Sequence, residues 1–134
     1  MISATPEIRR EGEAMEISRF EDLLKRRLEK IEAVLGTKAK EYAMGGDRLH
    51  NFKTAAAMGQ TTPEKALWGM AMKHLVSVTD LIEGRLKNTE EMADEKLGDL
   101  INYLILLEAV LNDQRFPNPA QSSELQMKTG VKYE

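Results

Sequence analysis

The chain has 134 residues, enough for one domain and too few for two comfortable ones. Hydrophobic residues make up 42% and charged residues 31%, a globular balance that argues against disorder, and the net charge of −3 gives no global attraction to nucleic acid. No cysteine is present, which excludes disulfides, a thiol nucleophile and a thiolate zinc site, and makes a reducing compartment the simplest expectation.

Aromatics are only 5%, and Leu, Ala, Met, Glu and Lys dominate. These side chains lose little rotamer freedom on a helix, so an all-α fold is expected. His50 and His74 are too few for a His-rich metal site. The start has no apolar h-region, and no uncharged apolar run reaches about 18 residues, so secretion and membrane spanning are not expected and a cytoplasmic location is. The acidic balance suits a protein that gathers carboxylates in one place and recruits a cation there.

In chain order, residues 1–17 read as a loose arm of mixed charge. Ser18 with Glu21 forms a capping box before an apolar run. Phe20, Leu23, Leu24, Leu28, Ile31, Val34 and Leu35 then recur at helical spacing up to Gly36, with the charged run 25–32 as the outer face. A second helical stretch covers Thr37 to Met44 and breaks at Gly45-Gly46. Asp47 caps the next segment, which ends at Gly59 and carries Asn51 and Phe52 packed inward. Thr62-Pro63-Glu64 opens the following helix, with Thr at the N-cap, Pro at the first position and an acid in the first turn. It runs through Trp68, Met70 and Met72, expected as core, to about Gly84. Asn88 or Thr89 caps the last long helix, which runs to about Asp113 and is apolar nearly all round over residues 100–111. Such a helix must be covered on most sides, so oligomerisation is expected to finish the core. The helical domain is thus placed at 18–114, as a bundle of four to five helices, with an extended tail at 115–134.

The chemistry concentrates on two helices. Glu95, Asp99 and Asn102 lie at i, i+4 and i+7 on one stripe of the last helix, among Leu97, Leu100, Ile101, Leu104 and Ile105. Acids entering an apolar helix are costly unless compensated, and oxygen-only ligands suit Mg²⁺ or Mn²⁺. The alternative is a stripe facing water near the helix start, where acids also favour the dipole. On the preceding helix Lys73, Ser77 and Asp80 share a stripe and Glu83 follows. A short antiparallel connection would carry Asp80 and Glu83 toward Glu95 and Asp99, with Lys73 and Asn102 further along the groove. A solvated Lys–Asp lattice is the alternative there. The turn at 45–52, with Gly45, Gly46 and Asp47, could hold an anion with help from Arg48 and Lys40, or be only an interhelical turn. His74 beside the acid stripe reads as a packed, hydrogen-bonded histidine before a ligand, and Tyr103 as buried.

Three stretches, residues 38–52, 66–83 and 94–111, resemble the phage-encoded, MazG-like branch of the all-α NTP pyrophosphatase superfamily. The last of them resembles its Glu-x-x-Asp helix, with Gly98 before Asp99. Where that superfamily's first metal motif reads Glu-x-x-Glu, this chain has Asp80-Leu81-Ile82-Glu83. Lys96 stands where many members place an acid, which leaves Glu95 one residue early. The resemblance implies Mg²⁺-dependent cleavage of a nucleoside triphosphate to monophosphate and pyrophosphate, and a helical bundle assembled as a homo-oligomer, dimer or tetramer. It implies a nucleotide-pool role in the host cytoplasm, with no membrane and no direct nucleic-acid partner. Asp80, Glu83, Glu95 and Asp99 are then the expected metal ligands, and Glu95, Asp99 and Lys73 the catalytic groups. Lys40, Arg48, Lys73, Lys96 and Asn102 are expected to contact phosphate or base. Two rivals remain: a nucleotide or small-signal binding protein without turnover, and a structural or regulatory helical oligomer.

Overall fold

The computed structural model describes residues 12–37 and 44–117; Lys40, most of the expected 37–44 helix and most of the tail lie outside them. Among the described residues the chain is all-helical, without strands, as its composition predicts. Helix α1 spans Ile17–Ile31 and continues as a π-helical turn, Glu32–Thr37. A 3₁₀ turn at Met44–Gly46 leads into α2, His50–Met58, followed by α3, Pro63–Ile82, and α4, Glu90–Arg115.

Local chemistry accounts for most boundaries. Thr62 is extended and Pro63 follows at the first helical position of α3, with Glu64 in the first turn, as expected. Thr89 Oγ1 accepts from the Met92 N–H at 3.1 Å and caps α4, which Glu90 and Glu91 open and Arg115 closes. At the end of α3, Gly84 adopts φ 76°, and the Asp80 carbonyl accepts from Arg85 N–H at 2.8 Å and Leu86 N–H at 3.1 Å. Other boundaries differ from expectation: Asp47 accepts from the Leu49 N–H at 2.9 Å, but the N-cap of α2 is Leu49, with no side-chain cap. Ser18 does not cap α1, because the helix already begins at Ile17 with Glu16 at the N-cap and no side-chain cap.

The core lies where α2, the first half of α3 and the second half of α4 meet. Leu67 is 0% exposed and Val110 2%, and Leu49 and Phe52 are buried with them. Met70, Tyr103, Leu106 and Leu107 pack around this cluster. Ala56 and Ala71 are buried small residues that let the helices approach. Asn51, expected inward, is exposed beside buried Phe52. Trp68 and Met72, expected as core, are also exposed, because the core face of α3 is set by Leu67 and Ala71.

Helix α1 is attached differently and buries no residue. Phe20 is 53% exposed and Leu28 56%, while the charged side, expected to face outward, meets α4. Arg26 pairs with Glu90 at 2.7 Å, and Asp94 receives Arg27 at 2.9 Å and Lys30 at 2.6 Å. The Arg26–Glu90 pair is exposed, a kind that contributes about 0.2–1 kcal/mol, and only the Arg27 pair is partly buried, so α1 is the most weakly held of the four helices. The apolar stripes of α3 and α4 also stay uncovered at Val76, Leu104 and Leu111.

Truncation at the centre tests this description. Leu67→Ala should lower unfolding free energy by about 2–5 kcal/mol in urea titration. Leu28→Ala, on the exposed face of α1, should cost the isolated chain a small fraction of that.

Candidate functional site

Packing Leu67 against Val110 sets the register of α3 on α4 and so decides what lies opposite each polar side chain. It stacks the His74 ring on Tyr103, with centroids 4.8 Å apart and planes tilted by 31°. It also turns His74 Nδ1 toward Asp99 Oδ2, at 3.6 Å. His74 is thus packed beside the acid stripe as expected, with the carboxylate beyond hydrogen-bond distance.

The stripe Glu95, Asp99 and Asn102 faces α1 and lines a cleft of about 230 Å³. The floor of the cleft is Gly98; its far wall comes from α1 and the π turn, through Arg27, Lys30 and Ile31. Gly98 is buried, and a Cβ built there would lie 2.6 Å from Arg27 Nη1. The guanidinium therefore lies against bare helix backbone. Nη2 of the same group also approaches the Asp94 carbonyl at 3.4 Å. Glu95 and Asp99 remain substantially open to solvent, whereas Asn102 Oδ1 is buried without a hydrogen-bond partner. An acceptor in that state costs about 1–3 kcal/mol, which a bound donor or cation would offset.

Asp94 fixes the charge of the α1 wall. A hydrogen bond from Lys30 is the largest influence on it; with the charges of Lys30 and Arg27 it outweighs burial and holds the carboxyl below its ordinary range. At the opposite end of the bundle, burial pushes Asp47 up. The Lys53 ammonium and the Leu49 N–H overcome that and leave its pKa lowered. Lys53 bridges Asp47 at 2.8 Å and Asp113 at 3.4 Å, and so fastens the glycine turn to the end of α4. Gly45 and Gly46 adopt φ of 65° and 77°, which their lack of a side chain permits. The turn thus has a structural task of its own, with Arg48 half-buried within it.

The remaining expected residues are placed as follows. Glu95, Asp99 and Asn102 share the cleft. Asp80 is engaged by Arg85 Nε at 2.6 Å, and Glu83 is the exposed C-cap residue of α3. Among the described residues no three acidic or histidine side chains are gathered as a ligand set, so the expected four-carboxylate group is not assembled here. Lys73 is exposed on α3 and does not line the cleft. Lys96 Nζ turns to Glu95 Oε1 at 3.1 Å. Arg27, Lys30 and Asp94 escaped the sequence reading, and Gly98 entered it only through the resemblance, although basic residues at 26, 27 and 30 facing acids at 90 and 94 are a complementary pattern.

Two carboxylates and one amide oxygen are hard donors of the kind Mg²⁺ takes, and that ion commonly needs only one or two carboxylates besides water and substrate phosphate. The residues of the cleft fit such an ion chemically. No helix among the described residues is long and apolar enough to cross a membrane. Comparison with family models, with curated proteins and with solved structures returns no match to this chain.

The lowered Asp94 pKa has a definite sign. A carboxyl whose folded pKa is depressed contributes stability above its unfolded value, near 3.9, and loses it as pH falls toward the folded value. Stability monitored by helical circular dichroism should therefore fall on acidification below about pH 4. Asp94→Asn should be less stable at neutral pH and lose part of that acid dependence. An identical acid profile in the variant would refute the role given to Asp94.

Proposed function

We propose that the protein is a Mg²⁺-dependent nucleoside triphosphate pyrophosphohydrolase that releases a monophosphate and pyrophosphate at the α1–α4 cleft. One observation carries the reading: the acid-and-amide stripe Glu95, Asp99 and Asn102 faces a cationic wall, Arg27 and Lys30, across a single cleft. That polarity suits a metal–polyphosphate, with cation on one side and phosphate oxygens on the other. The resemblance of residues 94–111 to the Glu-x-x-Asp helix of the superfamily supports the same reading. A volume of about 230 Å³ lies below the roughly 300–1,000 Å³ usual for whole drug-sized ligands, which suits the phosphate portion with the base outside.

In this reading Glu95 and Asp99 are the ligands, since both line the cleft and Asp80 does not. A bound Mg²⁺ supplies charge neutralisation and water activation. Water attacks the α-phosphorus, the bond from that phosphorus to the bridging oxygen breaks, and pyrophosphate leaves. The water proton would pass to solvent, to which Glu95 and Asp99 are open, and the His74 ring lies 3.6 Å from the Asp99 carboxylate. Asn102 offers its unpartnered oxygen to a ligand donor or to the ion.

A second reading, nucleotide binding without turnover, is favoured by the absence of a three-ligand set among the described residues. Calorimetry with dNTPs, paired with a pyrophosphate-release assay, separates the two, because heat without product selects the second. For the hydrolase, Asp99→Asn should lose turnover by on the order of 100-fold or more, with thermal stability near that of the parent. Normal turnover in that variant would rule the assignment out. We further propose that copies of the chain cover the exposed stripes of α1, α3 and α4; light scattering should then report a dimer or larger, and a monomer would contradict this.

A further inference from the structure

We infer that the apolar stripe of α1 is the surface on which a second copy of this chain docks, two α1 helices pairing antiparallel about a two-fold axis near Leu24. This rests on the self-association proposed above and names its surface, orientation and register.

The stripe itself comes first. Ile17, Phe20, Leu24, Leu28 and Ile31 recur three and four residues apart and so lie along one side of the helix. Ile17 is 78% exposed and Leu24 45%, and Phe20 and Leu28 are exposed with them. Helix α1 turns a different side to α4, where Arg26, Arg27 and Lys30 meet Glu90 and Asp94. The stripe therefore has no part in the ion pairs that hold α1 in place.

Charge decides what covers it. Glu21 and Lys25 flank the stripe; both are exposed, and among the described residues neither takes part in an ion pair. In an antiparallel pair centred on Leu24, Phe20 falls opposite the partner's Leu28. Glu21 then comes within about 3 Å, measured along the axis, of the partner's Lys25, and the two-fold symmetry makes that contact twice. A parallel pair would instead set Glu21 beside the partner's Glu21 and Lys25 beside the partner's Lys25, like against like. The whole helix has the same polarity. Acids outnumber bases three to one over residues 16–22, and bases outnumber acids four to two over residues 25–32. A surface of this kind is complementary to itself turned end for end.

Helix α1 also supplies the far wall of the cleft, through Arg27 and Lys30. A partner laid along its free side would bind the folded helix and stabilise that wall.

Sedimentation equilibrium of the full chain at low salt tests this. The parent should dimerise, and Glu21→Lys or Lys25→Glu alone should weaken the dimer by about tenfold or more, since each sets like charges together twice. An equimolar mixture of the two variants is the decisive sample. It should dimerise at least as tightly as the parent, because opposite charges then meet between unlike chains. Interactions within a single helix cannot produce that rescue. Leu24→Asp, at a position that buries nothing in the single chain, should be monomeric at concentrations where the parent is a dimer. A mixture no tighter than either variant alone, or a dimer indifferent to Leu24→Asp, would overturn the assignment of α1 and leave the exposed stripes of α3 and α4. A monomeric parent would sink this inference together with the self-association proposed above.

Discussion

The contact of Leu67 with Val110, both almost wholly shut off from solvent, sets the register on which the rest of the molecule depends. With that register set, helical periodicity alone brings His74 over Tyr103 and beside Asp99, and turns Glu95, Asp99 and Asn102 toward α1. Sliding α4 by one turn would move every acid about 5.4 Å along the groove and break the His74–Asp99 contact. A small apolar core therefore determines the geometry of a polar cleft at its other end.

Helix α1 follows another logic. Much of its apolar stripe stays exposed, as at Phe20, Leu24 and Leu28, and its basic side pairs with α4, so the docking is largely electrostatic and local. Charge pairs at a surface orient an element more than they stabilise it. In the single chain its Leu23, Leu24, Leu28 and Phe20 stay exposed. The two attachments divide the molecule into a rigid hairpin with α2 against it, and a lightly held arm that closes the cleft.

Much of the fold is legible along the chain. The all-helical class follows from composition, and the starts of α3 and α4 follow from the fixed backbone of Pro63 and from the Thr89 hydroxyl that caps α4. The acid stripe of α4 is legible for the same reason, since the spacing of residues 95, 99 and 102 suffices to align them. Ser18 misleads because a capping box is a local possibility that the chain need not use; α1 begins one residue earlier. Trp68 misleads because hydrophobicity does not say which side of a helix a neighbour will occupy.

What the chain alone determined, then, is helix content, most helix ends and the alignment of groups within each helix, because those rest on hydrogen bonds and periodicity over a few residues. Which groups face one another was decided only by tertiary structure: Arg27 over Gly98, Asp94 shared by two cations, and Asp80 turned to Arg85 instead of to Glu95. Those pairings depend on the rotation and register of one helix against another. Both are set by how Leu67, Phe52 and Val110 fill a common space, and spacing along one strip of sequence cannot encode that.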